Sequence, residues 1–389
     1  MERMKMRFKL GLFGRVVIAI AVGALVGLVA PDVLVRIFKT FNVLFSQVLK
    51  FIVPLLILGL VTPAIADVGR GAGKLLLSVL LGAYLSSVAA GFFAWGVSSE
   101  VFPSILPMGI EAAKQGGREF LPYVDLKIPP LCNVMTALLF SFMAGIGMNF
   151  VEAPSMRRAF AELGALVKLT IERAIIPLIP VYIFTMICEM SAAGKVAALM
   201  GAFVKVIGVG VALSVLFLLL EYTLAGIVAR KNPFRCLWNM LPAYLTGFSI
   251  SSSAPVIPLT LAGAKKNGVS EALADFAIPL CATVHMPGSV IKMAVCVTGI
   301  AYMTGFELSG ALFANFVFMQ CIAAVAAPGV ATGVLMASVG LLDSIIGFSP
   351  EQTALLMTVY LALDGYGPAC SVTADGALAL VLDRFFVRR

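Results

Sequence analysis

The chain has 389 residues, of which 61% are hydrophobic and 12% charged, with a formal net charge of +8. That balance leaves no room for a sizeable soluble domain, and several apolar runs reach the ~20 residues that a spanning helix needs. The basic residues fall in short clusters between apolar runs, the pattern of cytoplasmic loops rather than of a nucleic-acid surface.

The basic N-terminus, MERMKMRFKLGLFGR, flows into a first span over residues 16–30, closed by Pro31. No small-residue cleavage site follows, so the run reads as a membrane helix and not a removed leader. Residues 34–65 form a second span carrying Arg36, Lys39 and Lys50, and residues 73–101 a third. Residues 103–127, with Glu111, Lys114, Arg118, Glu119 and Asp125, read as an external loop. The fourth span covers 128–150. The fifth covers 159–190, interrupted by Pro177 and Pro180, and the sixth covers 195–229. With the N-terminus inside, the basic residues from Arg70 and Lys74 to Arg388 and Arg389 gather on the cytoplasmic side, and the outer loops keep mainly Lys114, Arg118, Lys127 and Lys195. Both termini are then cytoplasmic, in a cell inner (plasma) membrane.

That orientation makes residues 232–265 unusual, because both ends are basic and so face one side. The middle, GFSISSSAPVIPLTLAG, sets three serines before Pro255 and Pro258 and does not continue a regular helix. Broken backbone at membrane depth needs protein or a water-filled cavity around it, so the segment reads as a re-entrant helical hairpin. Residues 310–346 read as a second hairpin entering from the opposite face, with its tip at Ala327, Pro328 and Gly329. Between them, residues 272–302 form a span broken at HMPGS, from His285 to Ser289. The last segment, residues 352–387, places Asp364 and Asp375 eleven residues apart. In one continuous helix that is about three turns, which sets both on one face with Gly367, Pro368 and Ser371 between them. Carboxylates at membrane depth mark a substrate or ion site by default; the plain alternative is that each bonds a neighbouring helix. Two opposed hairpins, a broken helix and a helix bearing carboxylates match inverted repeats around a midplane binding site.

The serine-rich SSSAPVIP, the segment ATVHMPGS, the tip AAPG and the terminal D-x10-D helix resemble the dicarboxylate/amino acid:cation symporters, the glutamate-transporter fold, over nearly the whole chain. The resemblance implies eight transmembrane helices plus the two hairpins and a homotrimer in the lipid bilayer. It also implies an elevator in which a transport domain carries a small-molecule substrate past a static scaffold. Residues 1–72 would hold scaffold helices 1–2, 73–103 helix 3 of the transport domain, and 104–127 the external loop. Residues 128–230 would hold scaffold helices 4–5 and transport-domain helix 6, and 231–389 the transport core.

Several positions depart from the family. Its first terminal-helix aspartate, which holds the substrate amino group, is kept as Asp364, and its sodium-ligating aspartate as Asp375. Gly367 stands where an arginine holds a side-chain carboxylate, Pro368 replaces a threonine, and Ser371 an asparagine. In the seventh helix Asn-Met-Asp-Gly-Thr becomes His285, Met286, Pro287, Gly288 and Ser289, so a sodium-ligating aspartate is lost. Tyr360 stands where an acidic residue is common.

No cofactor is expected beyond sodium as coupling ion. Sodium needs oxygen ligands, and of the expected sodium-site carboxylates only Asp375 remains, with Ser371, His285, Met286 and Ser289 around it. Lys292, seven residues after His285, is a candidate substitute for a missing cation beside Asp364 or Asp375; alternatively it snorkels to an interface. His285 is either a proton site or a packed ring bonded to a backbone carbonyl. Bidentate recognition of a second carboxylate wants arginine, and none lies in the hairpin tips or the core of the final helix. Asp364 can hold an ammonium, and Ser251, Ser252 and Ser253 a single carboxylate, which suits a small neutral amino acid. A proton-coupled or uncoupled carrier of a small organic acid is the alternative. One histidine and scattered cysteines offer no enzyme's nucleophile–base cluster, and Glu221, Glu172 and Arg173 read as charges that pair between helices or sit in an interface.

Overall fold

The computed structural model describes residues 12–68, 74–108, 120–124, 126–151, 153–194, 196–325, 333–362 and 365–386, and most of these form helices, with irregular backbone over the described part of 120–133. The early helices are α1 (Leu12–Gly27), α2 (Asp32–Val68), α3 (Lys74–Ile105) and α4 (Val134–Phe150). α3 runs on through Pro103 into the segment expected as loop; a proline in the last turn costs only one backbone hydrogen bond there. α4 starts later than residue 128, because Pro129 and Pro130 resist the helix and the Asn133 side chain caps it by accepting from the Thr136 N–H.

α5 (Pro154–Thr170) and α6 (Ile176–Ala192) form one rod, joined by a π turn over Ile171–Ile175. The expected interruption at Pro177 is therefore absorbed by widening: the Ile176 N–H reaches back five residues to the Ile171 carbonyl. α7 (Val196–Ala229) follows, then α8 (Pro233–Ile250), a 3-10 turn (Ala254–Val256) and α9 (Ile257–Lys266). The chain breaks at the serines as expected, with Ser251 at φ 55°. α10 (Glu271–Val284) and α11 (Pro287–Thr304) are separated by only His285 and Met286. Pro287 to Ser289 already belong to α11, since a proline suits the first helical position.

α12 (Gly310–Val325) and α13 (Gly333–Leu341), continued by a π turn, bracket the expected second tip, whose Ala327, Pro328 and Gly329 lie outside the described residues. The terminal segment departs most from expectation. It is two helices, α14 (Pro350–Ala362) and α15 (Tyr366–Phe386), so the three-turn argument linking Asp364 to Asp375 does not apply. Asp364 itself lies outside the described residues.

Helices α1, α2, α4, α5 and α6 pack on one another. Gly23 and Gly27 permit this, since a Cβ on Gly23 would come 2.7 Å from the Phe184 carbonyl and one on Gly27 would collide with that of Cys188. Around α11 gather α3, α7, α12, α14 and α15. Apart from Tyr302 and Thr304, all of α11 is buried, as expected of a helix apolar on every side. Two lysines of α2 bridge the groups: Lys39 Nζ lies 2.9 Å from Glu189 on α6 and 3.0 Å from Glu351 on α14, and Lys50 Nζ 2.8 Å from Asp343.

Candidate functional site

Three chain breaks meet where α11 crosses α15. At Gly288 a Cβ would strike the Gly367 carbonyl, so only glycine lets the two N-termini touch. The end of α8 arrives on the same spot: a Cβ on Gly365 would strike the Phe248 carbonyl, and one on Gly247 would lie 3.1 Å from Ala369 Cα. Breaking helices here leaves backbone N–H groups to satisfy. Ser371 Oγ accepts from the Gly288 N–H at 3.2 Å, Ser87 Oγ accepts from the Met286 N–H at 3.3 Å, and Pro287 has none to satisfy.

Gly367, Ser371 and Asp375 follow one another at four-residue intervals and share the face of α15 turned to α11. Asp375 is buried. Its Oδ1 lies 2.9 Å from His285 Nδ1, and its Oδ2 is buried with no hydrogen-bond partner. The other ring nitrogen, Nε2, lies 2.9 Å from Ser86 Oγ on α3, and Ser86 in turn donates to Glu221 Oε1 on α7 at 2.8 Å. Glu221 Oε2 likewise has no partner. Four elements thus contribute one residue each to a polar string, Asp375–His285–Ser86–Glu221, inside an apolar bundle.

Lys292 occupies a different place. It is fully buried, so it does not snorkel, and its Nζ sits 3.7 Å above the centroid of the Tyr360 ring. A cation over an aromatic face is held by the ring quadrupole. A Cβ on Gly367 would lie 3.5 Å from Lys292 Cδ and 3.5 Å from Ser289 Oγ. These are ordinary van der Waals distances, so the lysine stem and Ser289 line the face of α15 at Gly367.

A model of the sodium:dicarboxylate symporter family matches residues 12–385. The chain belongs to that family. Among its relatives, the serine/threonine transporter SstT of Acinetobacter baumannii (strain AYE) is 27% identical over 374 residues, covering 90% of each chain. The same-named protein of Streptococcus suis (strain 05ZYH33) is 27% identical over 343 residues, covering 84% of this chain and 93% of its own. Among the described residues, five helical stretches, Asp32–Pro63, Lys74–Ile105, Pro154–Ala192, Leu199–Ala229 and Glu271–Thr304, are long and apolar enough to cross a membrane. The protein is a multi-pass membrane transporter of this family and not an enzyme.

Of the residues singled out from the sequence, His285, Met286, Ser289, Lys292, Gly367, Ser371 and Asp375 converge at the α11–α15 crossing, with Pro368 in the first turn of α15. Ser251 follows α8, whose end packs there. Ser252 and Ser253 stand beside it in the break. His285 bonds two side chains, not a backbone carbonyl, through its ring. Glu221 pairs between helices as read, accepting from Ser86 of α3, and forms one end of the string, whereas Glu172 is exposed and lies 4.0 Å from Lys168 one turn back. Ser86 and Ser87 were not singled out from the sequence. The available signals were two adjacent hydroxyls in an apolar helix and one acid in the apolar α7.

Proposed function

We propose that this transporter moves a small neutral amino acid, serine or threonine first, across the cell inner membrane by cation symport. The transport core would be residues 231–389 with helices α3 and α7, riding as an elevator past scaffold helices α1, α2 and α4 to α6, within a homotrimer. In this reading the two helix–break–helix units are re-entrant hairpins, and both termini are cytoplasmic.

The observation that carries the reading is the Asp375 carboxylate: buried, pinned through one oxygen, its other oxygen without a partner beside converging helix breaks. A buried carboxylate of that kind invites a cation. With Asp375 offering one oxygen, Ser371 Oγ engaged by Gly288 and no side-chain oxygen at Pro287, at most one or two sodium ions fit. Asp364 would hold the substrate ammonium, and Ser251 to Ser253 with the second tip at Ala327, Pro328 and Gly329 its carboxylate. The absence of an arginine at Gly367 argues against a second carboxylate on the solute, and the relatives named serine/threonine transporters agree with that. The test is uptake of labelled serine into liposomes holding the purified protein, with and without an inward sodium gradient. Sodium-driven uptake competed by threonine is expected; uptake of labelled aspartate that outcompetes serine would overturn the substrate class.

One observation favours a second reading of the ion. The imidazole of His285 already takes Asp375 Oδ1, so a proton carried by that pair can stand in for sodium. Uptake that ignores sodium and follows an inward proton gradient would select it.

A further inference from the structure

The string does not end at the residues a cation would touch. Ser86 has one hydroxyl hydrogen, and it points to Glu221 Oε1 at 2.8 Å. Its oxygen is therefore left to accept from His285 Nε2 at 2.9 Å. This fixes which ring nitrogen faces which neighbour, because turning the ring over would put carbon atoms where both hydrogen bonds now lie. With Nε2 donating to Ser86, Nδ1 is aimed at Asp375 Oδ1, and one further proton on the ring or on Asp375 closes that hydrogen bond; pinning that oxygen sets where Oδ2 points. His285 has no other freedom to use, since its side chain is completely buried and its own N–H is held by the Cys281 carbonyl at 2.8 Å.

We infer that Ser86 and Glu221 are positioning residues of the cation site: through His285 they hold the Asp375 carboxylate in the orientation that receives the driving ion. The inference rests on the proposed role of Asp375. Neither residue touches Asp375 itself. Both come from helices, α3 and α7, that flank the α11–α15 crossing from outside. Partners that orient a ligating group govern ion affinity by their geometry, typically by 10- to 100-fold when removed. Among the described residues, Tyr222, Cys281 and Cys370 also lie close enough to Asp375 and Glu221 to interact electrostatically. Tyr222 is tied to the Thr373 carbonyl at 2.8 Å.

The experiment compares wild type, S86A, S86T, E221Q and D375N as full-length proteins in liposomes. Uptake of labelled serine is followed against sodium at fixed pH, and against an inward proton gradient without sodium. Thermal stability is recorded in parallel. S86A is expected to raise the half-saturating concentration of whichever cation drives the wild type about tenfold. S86T, which keeps the hydroxyl, restores the wild-type value, and E221Q moves it in the same direction as S86A. D375N loses cation dependence altogether. If D375N behaves so while S86A and E221Q keep the wild-type half-saturation, the inference is overturned and the role of Asp375 stands. If D375N keeps the cation dependence of the wild type, or the wild type shows none, the role of Asp375 falls and the inference with it. A lowered melting temperature with unchanged half-saturation assigns Ser86 a purely structural part and also overturns the inference.

Discussion

The α11–α15 crossing and the seam along α2 both join helices through charged groups, yet they work on different scales. At the crossing His285 and Asp375 are fully buried, every contact is short, and two carboxylate oxygens remain without partners. At the seam Lys39 and Lys50 reach Glu351 and Asp343, acids that are about half exposed, at 52% and 44%. Removing one member of a buried pair strands its partner and costs about 3–5 kcal/mol. Breaking a solvated pair costs about 0.2–1 kcal/mol and less in salt. A fixed buried string suits a binding site. Weak exposed pairs suit a surface that has to separate, as the proposed elevator requires of α2.

The sharpest way to break this contrast is at the glycine contact. Gly288→Ala drives a methyl into the Gly367 carbonyl. Overpacking of that kind costs about 1–3 kcal/mol, or more where only backbone can yield, so thermal unfolding in detergent should show the largest loss here. An unchanged melting temperature would show that the two helix ends do not touch. Next comes His285→Ala, which strands Asp375 and Ser86. A loss approaching the buried-pair cost is expected, together with loss of cation-driven uptake; stability within 1 kcal/mol of wild type, by the scale of solvated pairs, would mean that the string is solvated. Ser86→Ala should cost about 1–3 kcal/mol through the unsatisfied partners it leaves.

The smallest effects belong to the seam. Asp343→Asn and Glu351→Gln should each shift stability by about 1 kcal/mol or less, and the shift should shrink between low and high salt. Lys39→Gln should exceed Glu351→Gln, because Lys39 also holds Glu189. A salt-insensitive loss of several kcal/mol at Asp343 would erase the distinction between the two regions.

Much of this was legible in the chain itself. Serines before two prolines announced the break after α8, and HMPG announced the one before α11, because proline and glycine clustered together weaken a helix. The break before α15 was equally marked by Gly365, Gly367 and Pro368. One helical stripe from Asp364 to Asp375 would have to run through those residues, and Gly365 stands outside both α14 and α15. The string was legible only in part. His285 and Asp375 stood out as polar residues in apolar runs, but Ser86 lies 199 residues from His285 and 135 from Glu221. No local periodicity encodes a contact across that separation, and a serine in a membrane helix can as easily bond its own backbone, as Ser214 does to Gly210. Lys292 shows the opposite case. Its spacing from His285 suggested one shared face, but the chain breaks between them, and the lysine turns to Tyr360.

The most direct test of the account is serine uptake by Asp375→Asn compared with wild type, in liposomes with an imposed sodium or proton gradient. The account predicts that wild-type uptake follows one of these gradients and that the variant, folded to the same extent by thermal stability, responds to neither. Cation-driven uptake by the variant equal to that of wild type would contradict it and move the coupling site away from the α11–α15 crossing.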